Sequence, residues 1–404
     1  MSLAMSLTQK IVDIIEAPDH QLAGAAALVW RRGELLAVAC GGARDVEAQR
    51  PVERDTLFRI ASMSKPITTV AALTLLEEGR FGLDDPITRW APELEDFCVL
   101  RDVNGPLDDT VPAERPITFE DLLTHRSGIT YGAFWPGSLG DAYAEALGAE
   151  IDSTVPAEDW IARLGTLPLI DQPGATLHYG HSTDLLGLLI ARMEDTSLDE
   201  VLRRRVFAPL GMKDTRFVVP REHQERCAKA YGFDADGRRV EVREGPGGSF
   251  LAERPPKMTF VSGGQGLWST VDDYLAFARA LLGHAPHILR PETLTSMRTN
   301  RLTPAQRASA EVGGMSLFAA GHGFGLGVAV VLEPDDAFPT ICRGHAGTVG
   351  WPGGFGGWWQ ADPTDDAIAI FLTHNMVERE QLALGIGHGA FAAIAAFQRI
   401  ASGA

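Results

Sequence analysis

At one place in this chain a serine stands three residues before a lysine: Ser62-Met63-Ser64-Lys65. The apolar residues that follow, Ile67, Val70, Ala71, Leu73, Leu75 and Leu76, cover nearly the whole circumference of a helix that stops at Gly79. A helix with no polar face until its last turn is a buried one. Positions i and i+3 share a helix face, so the spacing sets the Ser62 hydroxyl beside the Lys65 amine. A serine paired with a lysine base is one of the alternatives to a serine–histidine dyad. Pro66 is tolerated only in a first turn, which puts the helix start close to Ser62.

At 404 residues the chain exceeds the size at which a single core keeps growing, so two domains or one elaborated α/β domain are expected. Its 45% hydrophobic and 22% charged residues are ordinary globular composition. A formal charge of −17 argues against a nucleic-acid or anionic-membrane surface, because phosphate binding needs clustered Lys and Arg. The acidity reads as a self-repelling, solvated surface. Cys40, Cys98, Cys227 and Cys342 lie far apart without CxxC spacing and read as free thiols in a reducing compartment. Residues 7–17 carry Lys10, Asp13 and Glu16, so they form an amphipathic helix and not a signal peptide. No apolar run approaches the ~18 residues of a membrane span. A cytoplasmic location is expected, with no nucleic acid or membrane partner; oligomeric state is not legible.

Two short apolar runs, Ala25 to Trp30 and Leu35 to Ala39, flank Arg32-Gly33 and predict a β-hairpin. From about Asp85 prolines punctuate short segments, and helical patterns follow at 119–123, 157–164, 182–193 and 198–206. After Pro256 an amphipathic helix is expected over 272–282, with Ser269 or Thr270 as its cap. Strands are expected at 325–332, 356–361 and 367–372, and a terminal helix over 382–400. Strands at both ends with helices between imply one sheet built from both termini, with the helical region inserted.

Several familiar sites are missing. The chain has no GxSxG, no phosphate-binding GxxxxGK[ST] and no HExxH. His178/His181 and His284/His287 have i+3 spacing but no carboxylate or cysteine set that completes a metal site, and they read as surface or capping histidines. Two segments could serve Ser62. One is Pro173-Gly174 followed by His178-Tyr179-Gly180-His181. The other is the glycine cluster from Gly350 to Gly357, in which Pro352 would confine a strand to a sheet edge, where free N–H groups can form an oxyanion hole.

These blocks resemble the serine β-lactamase/penicillin-binding superfamily, and within it the class C-like branch that includes the family VIII carboxylesterases. Phe58 to Lys65 matches the family's SxxK block. Leu122-Leu123-Thr124-His125-Arg126-Ser127-Gly128 matches its LLTHxSG segment, and Pro173 to Gly187 its tyrosine block. Pro209 to Thr215 and Gly263 to Thr270 also match, all in the family order. The resemblance implies an α/β (α+β) fold of the β-lactamase/transpeptidase type: an antiparallel sheet flanked by helices, with an inserted mainly helical domain. Residues 1–85 and 226–404 would form the sheet domain and 86–225 the helical one. It further implies Ser62 as acylated nucleophile, Lys65 as its proton acceptor and Tyr179 as relay or general base. The backbone N–H groups of Ser62 and Gly354 would form the oxyanion hole. Whether Lys65 or Tyr179 is the main base stays open, because such a pair titrates together. No metal or organic cofactor is implied.

The departures from the family bear on substrate. The lysine-threonine-glycine triplet of the β-lactamases is matched here by Trp351-Pro352-Gly353, which lacks both the cation and the hydroxyl. The tyrosine block ends in His181, where lactamases carry asparagine. Trp135-Pro136-Gly137 repeats the triplet and could line the pocket as well, and His345-Ala346-Gly347 lies six residues too far from Asp362. The substrate pocket is expected to include Trp351, Gly353, His181 and Trp135. The reading is a serine hydrolase working through an acyl-enzyme, a carboxylesterase on small neutral esters. The alternatives are a β-lactamase or D-amino-acid peptidase, and a non-catalytic ligand-binding relative.

Overall fold

The computed structural model describes residues 6–245, 248–312, 315–316, 318, 321–337 and 341–403. The two apolar runs near the start pair as a hairpin, β1 (Gly24–Arg31) and β2 (Glu34–Asp45). Arg32 and Gly33 both take positive φ at its tip, the handedness that matches the twist of two paired strands. Six further strands complete the sheet: β3 (Arg50–Pro51), β4 (His322–Phe324), β5 (Ala329–Val331), β6 (Val349–Gly350), β7 (Trp358–Asp362) and β8 (Ala367–Thr373). Their order is β4-β5-β6-β7-β8-β1-β2-β3. Neighbours are antiparallel, and Leu28 of β1 lies opposite Ile370 of β8. The expected union of both termini in one sheet is therefore present.

Alternation along β1 sorts its side chains between two cores. Ala25, Ala27 and Val29 pack with Phe371, Trp358 and the terminal helices through Ile11, Ile15, Ile394 and Phe397. Ala26, Leu28 and Trp30 face the larger core, which continues into the helices of the middle third. That middle third contains the expected helices Phe119–Leu123, Ala157–Leu164 and Ser182–Met193. The fourth, Leu198–Leu202, runs on through a π turn over Arg203–Phe207. The helix after Pro256 spans Val271–Leu281, and Thr270 caps it by accepting from the Asp273 N–H. The four cysteines are free thiols. Among the described residues no helix is long and apolar enough to cross a membrane.

Three expectations need correction. The run 325–332 is not one strand: Gly325–Gly327 turns the chain between β4 and β5. Gly327 has φ +71°, and a Cβ there would meet the Thr69 hydroxyl at 2.1 Å, so the turn presses directly on the helix beneath it. The terminal helix is broken in two, Arg379–Ala383 and His388–Ser402, because Gly385 and Gly387 take positive φ between them. Pro352 does not mark an edge strand. It lies just past β6, which is hydrogen-bonded on both sides, and the edges of the sheet are β4 and β3.

Candidate active site

Ser62 sits in a 3-10 turn, Ala61–Met63, that feeds the helix Ser64–Glu77. The helix proper thus begins two residues later than the motif, yet Ser62 and Lys65 still share a face. Ala61, immediately before the serine, takes φ +42°, a left-handed conformation that costs a non-glycine residue on the order of 1–2 kcal/mol and persists only where surroundings enforce it. Those surroundings are visible. The Ile60 N–H donates to Leu267 O (3.0 Å), the Tyr274 hydroxyl to Met63 O (3.0 Å), and the Leu267 N–H to Ser64 Oγ (3.1 Å). Pro66, in the first turn, forfeits an N–H that has no helical partner anyway. At the far end Gly79 (φ +70°) closes the helix, its N–H donating to Leu76 O and that of Arg80 to Leu75 O.

Lys65 is buried, and its ammonium has three partners for its three N–H bonds. Nζ lies 3.3 Å from Ser62 Oγ, 3.0 Å from Tyr131 Oη and 3.0 Å from the Gly264 carbonyl. The face of the Tyr179 ring lies against the same nitrogen, 4.5 Å from centroid to Nζ. Sequence reading had paired Lys65 with Tyr179 alone. The phenol that hydrogen-bonds the amine is Tyr131, while the Tyr179 hydroxyl accepts from the Trp351 indole N–H at 3.0 Å. Burial, with the charge of Asp184 and the neighbouring Tyr179, pushes the Tyr131 pKa well above its ordinary value, so its hydroxyl keeps its proton.

Local geometry brings these tyrosines together. Thr118 and Asp121 form a reciprocal cap on the helix Phe119–Leu123, and the chain then doubles back through His125 (φ +54°) and Gly128 (φ +81°). Ser127 ties this loop to Ser182 at 2.8 Å. A Cβ on Gly180 would lie 2.4 Å from Thr130, so the Tyr179-Gly180-His181 segment lies flat against Thr130-Tyr131. The two tyrosine rings meet edge to face at 5.6 Å. His125 packs under Tyr179 at 4.8 Å, and neither of its ring nitrogens has a partner among the described residues. Burial and the Lys65 charge push its pKa down to about 3, so this imidazole stays neutral.

The glycine cluster does come to the serine, by close approach. A Cβ on Gly353 would lie 2.4 Å from Ile60 O, and one on Gly357 2.9 Å from the Met63 sulfur. Gly354 is exposed, with its Cβ direction facing Ala61, and its N–H meets no backbone carbonyl among the described residues. Gly353→Ala is expected to destabilise the protein by roughly 1–3 kcal/mol, because the obstacle is backbone and cannot swing aside. A thermal unfolding midpoint equal to that of the unmodified protein would contradict this.

Of the expected pocket residues, Trp351 is buried and bonded to Tyr179. Trp135 is half-buried beside the same loop, its indole N–H donating to Thr130 Oγ1 at 2.9 Å. His181 does not face an open pocket. It is enclosed by Tyr131, Tyr143 and Trp160, and its Nδ1 bonds Asp184 at 2.9 Å. The carboxylate judged missing for the histidine pair thus lies one helical turn on. His178 likewise bonds Asp171 at 3.1 Å. His345, Asp362 and Asp365 bring ligand atoms within 4.8 Å of one another. Asp362 is already saturated by backbone N–H groups and His345, and Asp365 pairs with Arg31 and Arg32, so the group reads as a locked turn.

The family model described as Beta-lactamase matches residues 7–389. The chain belongs to the Beta-lactamase family. Its fold is β-lactamase/transpeptidase-like and it is a serine hydrolase. Among curated proteins it is 45% identical to Protein Rv1367c of Mycobacterium tuberculosis over 87% of this chain and 85% of that one. It is 34% identical to Esterase EstB of Burkholderia gladioli over 89% of this chain and 88% of that one. Among solved structures it is similar to EstCE1, a hydrolase with promiscuous acyltransferase activity. That match has a TM-score of 0.77 at 26% identity, over 95% of this chain and 98% of that one.

Proposed function

We propose that this serine hydrolase is a carboxylesterase acting on small neutral esters through an acyl-enzyme. The observation that carries the reading is the Ser62–Lys65 contact of 3.3 Å, with the Trp351 indole bonded to the Tyr179 beside it, at the position the resemblance matches to the lactamase lysine. As the free amine, Lys65 takes the Ser62 proton while Oγ bonds the ester carbonyl carbon. The resulting ammonium is held by Tyr131 and Gly264 O. The carbonyl oxygen, now negative, accepts from the Ser62 and Gly354 N–H groups. Collapse breaks the bond to the alcohol oxygen, which recovers the proton from the Lys65/Tyr179 pair. Tyr179 suits a relay, because its oxygen accepts from Trp351 and leaves its own O–H free to point at the leaving group. Water then attacks the acyl-enzyme, gives its proton to the same pair, and frees the acid and Ser62.

An uncharged ester is favoured because, among the described residues, Lys65 is the cation that the hydrogen bonds of this cluster hold, and it is committed to three oxygens. Trp351 offers a penicillin or cephalosporin carboxylate neither charge nor a hydroxyl. The likeness to Esterase EstB supports hydrolysis of esters. That to EstCE1, titled a hydrolase with promiscuous acyltransferase activity, favours a second reading in which an alcohol replaces water in the second step. The test compares kcat/KM for p-nitrophenyl butyrate and nitrocefin. The ester should exceed the cephalosporin by at least about 100-fold, roughly the 2–3 kcal/mol of an unmatched carboxylate. A preference for nitrocefin would overturn the assignment. A fluorophosphonate adduct on Ser62 separates either enzyme from a non-catalytic relative.

A further inference from the structure

Two of the three oxygens around the Lys65 amine depend on one carboxylate. Asp184, in the first turn of the helix Ser182–Met193, is fully buried. One of its oxygens accepts from Ser262 Oγ and from the Gly264 N–H at 2.9 Å, and Gly264 presents its carbonyl to Lys65. The other accepts from His181 Nδ1 at 2.9 Å. The His181 ring stands edge-on to Tyr131 at 4.5 Å, and Tyr131 holds Lys65 through its hydroxyl. A Cβ on Gly264 would lie 3.1 Å from both Asp184 oxygens, so glycine there lets the carboxylate come close. The Gly263 carbonyl is tied to Thr68 Oγ1 at 2.7 Å, one turn beyond Lys65 on the same helix. The turn from Ser262 to Gly266 is thereby clamped between the two helices that carry the charges.

We propose that Asp184 is the positioning residue of the Ser62–Lys65 unit: it fixes Gly264 and, through His181, Tyr131 around the amine, and it is the buried counter-charge of that amine. This rests on the reading of Ser62 and Lys65 as nucleophile and base. Burial works against an ionised Asp184, but the His181 hydrogen bond and charge, the Lys65 ammonium and Ser262 hold its pKa below the ordinary carboxylate value. The groups turned toward it are His181 on its own turn, Lys65 from the helix Ser64–Glu77, and Tyr131 and His125 from the loop after Leu123. Since His125 and Tyr131 are neutral, Asp184 is the negative charge in this group that faces Lys65. Removing one member of a buried pair leaves the other uncompensated.

The test follows the rate of Ser62 phosphonylation by a fluorophosphonate against pH, with thermal unfolding run beside it. In Asp184→Asn the ammonium loses its counter-charge, so the free amine forms at lower pH. The acid limb should move down by about one pH unit and the plateau rate should fall about tenfold as Gly264 loosens. In His181→Gln a neutral amide, still a donor, replaces the ring whose charge offsets Asp184, so the limb should move up. Both variants keeping the limb of the unmodified protein, with a uniform loss of rate, would overturn the proposal and leave Asp184 a plain structural residue. Should Asp184→Asn not fold, the direction of the His181→Gln limb decides alone. Failure of the unmodified protein to react at Ser62 would instead overturn the assignment of the nucleophile.

Discussion

Ser62→Ala should abolish hydrolysis of p-nitrophenyl butyrate, with kcat/KM lower by about 10⁴-fold or more, as when the nucleophile of other acyl-transfer enzymes is removed. The substitution deletes one oxygen from a buried 3-10 turn whose fixing contacts run through Ile60, Met63 and Ser64. The fold and the unfolding midpoint should therefore stay close to those of the unmodified protein. Lys65→Ala should lose nearly as much, because among the described residues the amine is the base that the serine hydroxyl has within hydrogen-bond reach. The double variant should be no worse than either single one, since the two side chains act as one unit. Turnover in Ser62→Ala above the background of buffer would sink the assignment.

The second large effect separates the two phenols beside Lys65. Tyr179→Phe should lower kcat by about 10²–10³-fold with KM nearly unchanged, the size expected for loss of a proton relay in the transition state. Tyr131→Phe removes one of three acceptors from an ammonium that keeps Ser62 Oγ and Gly264 O, and should cost only about tenfold. The contrast has a structural basis. The Tyr131 hydroxyl is committed to Lys65 and is kept protonated by burial, whereas the Tyr179 oxygen only accepts from Trp351. Steady-state kinetics on both variants gives the answer, and the reverse order of losses would transfer the relay to Tyr131.

Much of this arrangement is legible in local sequence. A three-residue spacing on an all-apolar helix is a local property, so Ser62 and Lys65 come together wherever that helix is placed. The β1–β2 hairpin, the Thr270 cap and the helix stop at Gly79 are local in the same sense, each set by a few neighbouring φ/ψ preferences. The glycine-rich 350–357 segment correctly signalled close backbone approach, but its partner, the Ile60–Met63 turn, lies about 290 residues away in the chain. The broken strand at Gly325–Gly327 and the broken helix at Gly385–Gly387 were missed for one reason. Apolar content carried the pattern across glycines that turn the backbone: Gly327 presses on Thr69 and Gly387 on Val377, while Gly385 takes its positive φ in open space.

Tyr131 and Asp184 show where sequence reading stops. Tyr131 lies three residues past the Leu122–Gly128 block, and Asp184 lies inside the tyrosine block three residues after His181. Those are the only traces either leaves, and no periodicity points from them to Lys65. The sequence by itself determined the pairing of Ser62 with Lys65 and the sheet built from both termini. Only the tertiary structure decided which tyrosine bonds the amine, that Trp351 holds the other, and that one buried carboxylate faces the lysine. A lysine taken out of water must find its oxygens and its counter-charge among whatever segments the packed core brings to it. Those segments, the loop 124–131, the helix from Ser182 and the turn 262–266, meet only once the helices have packed.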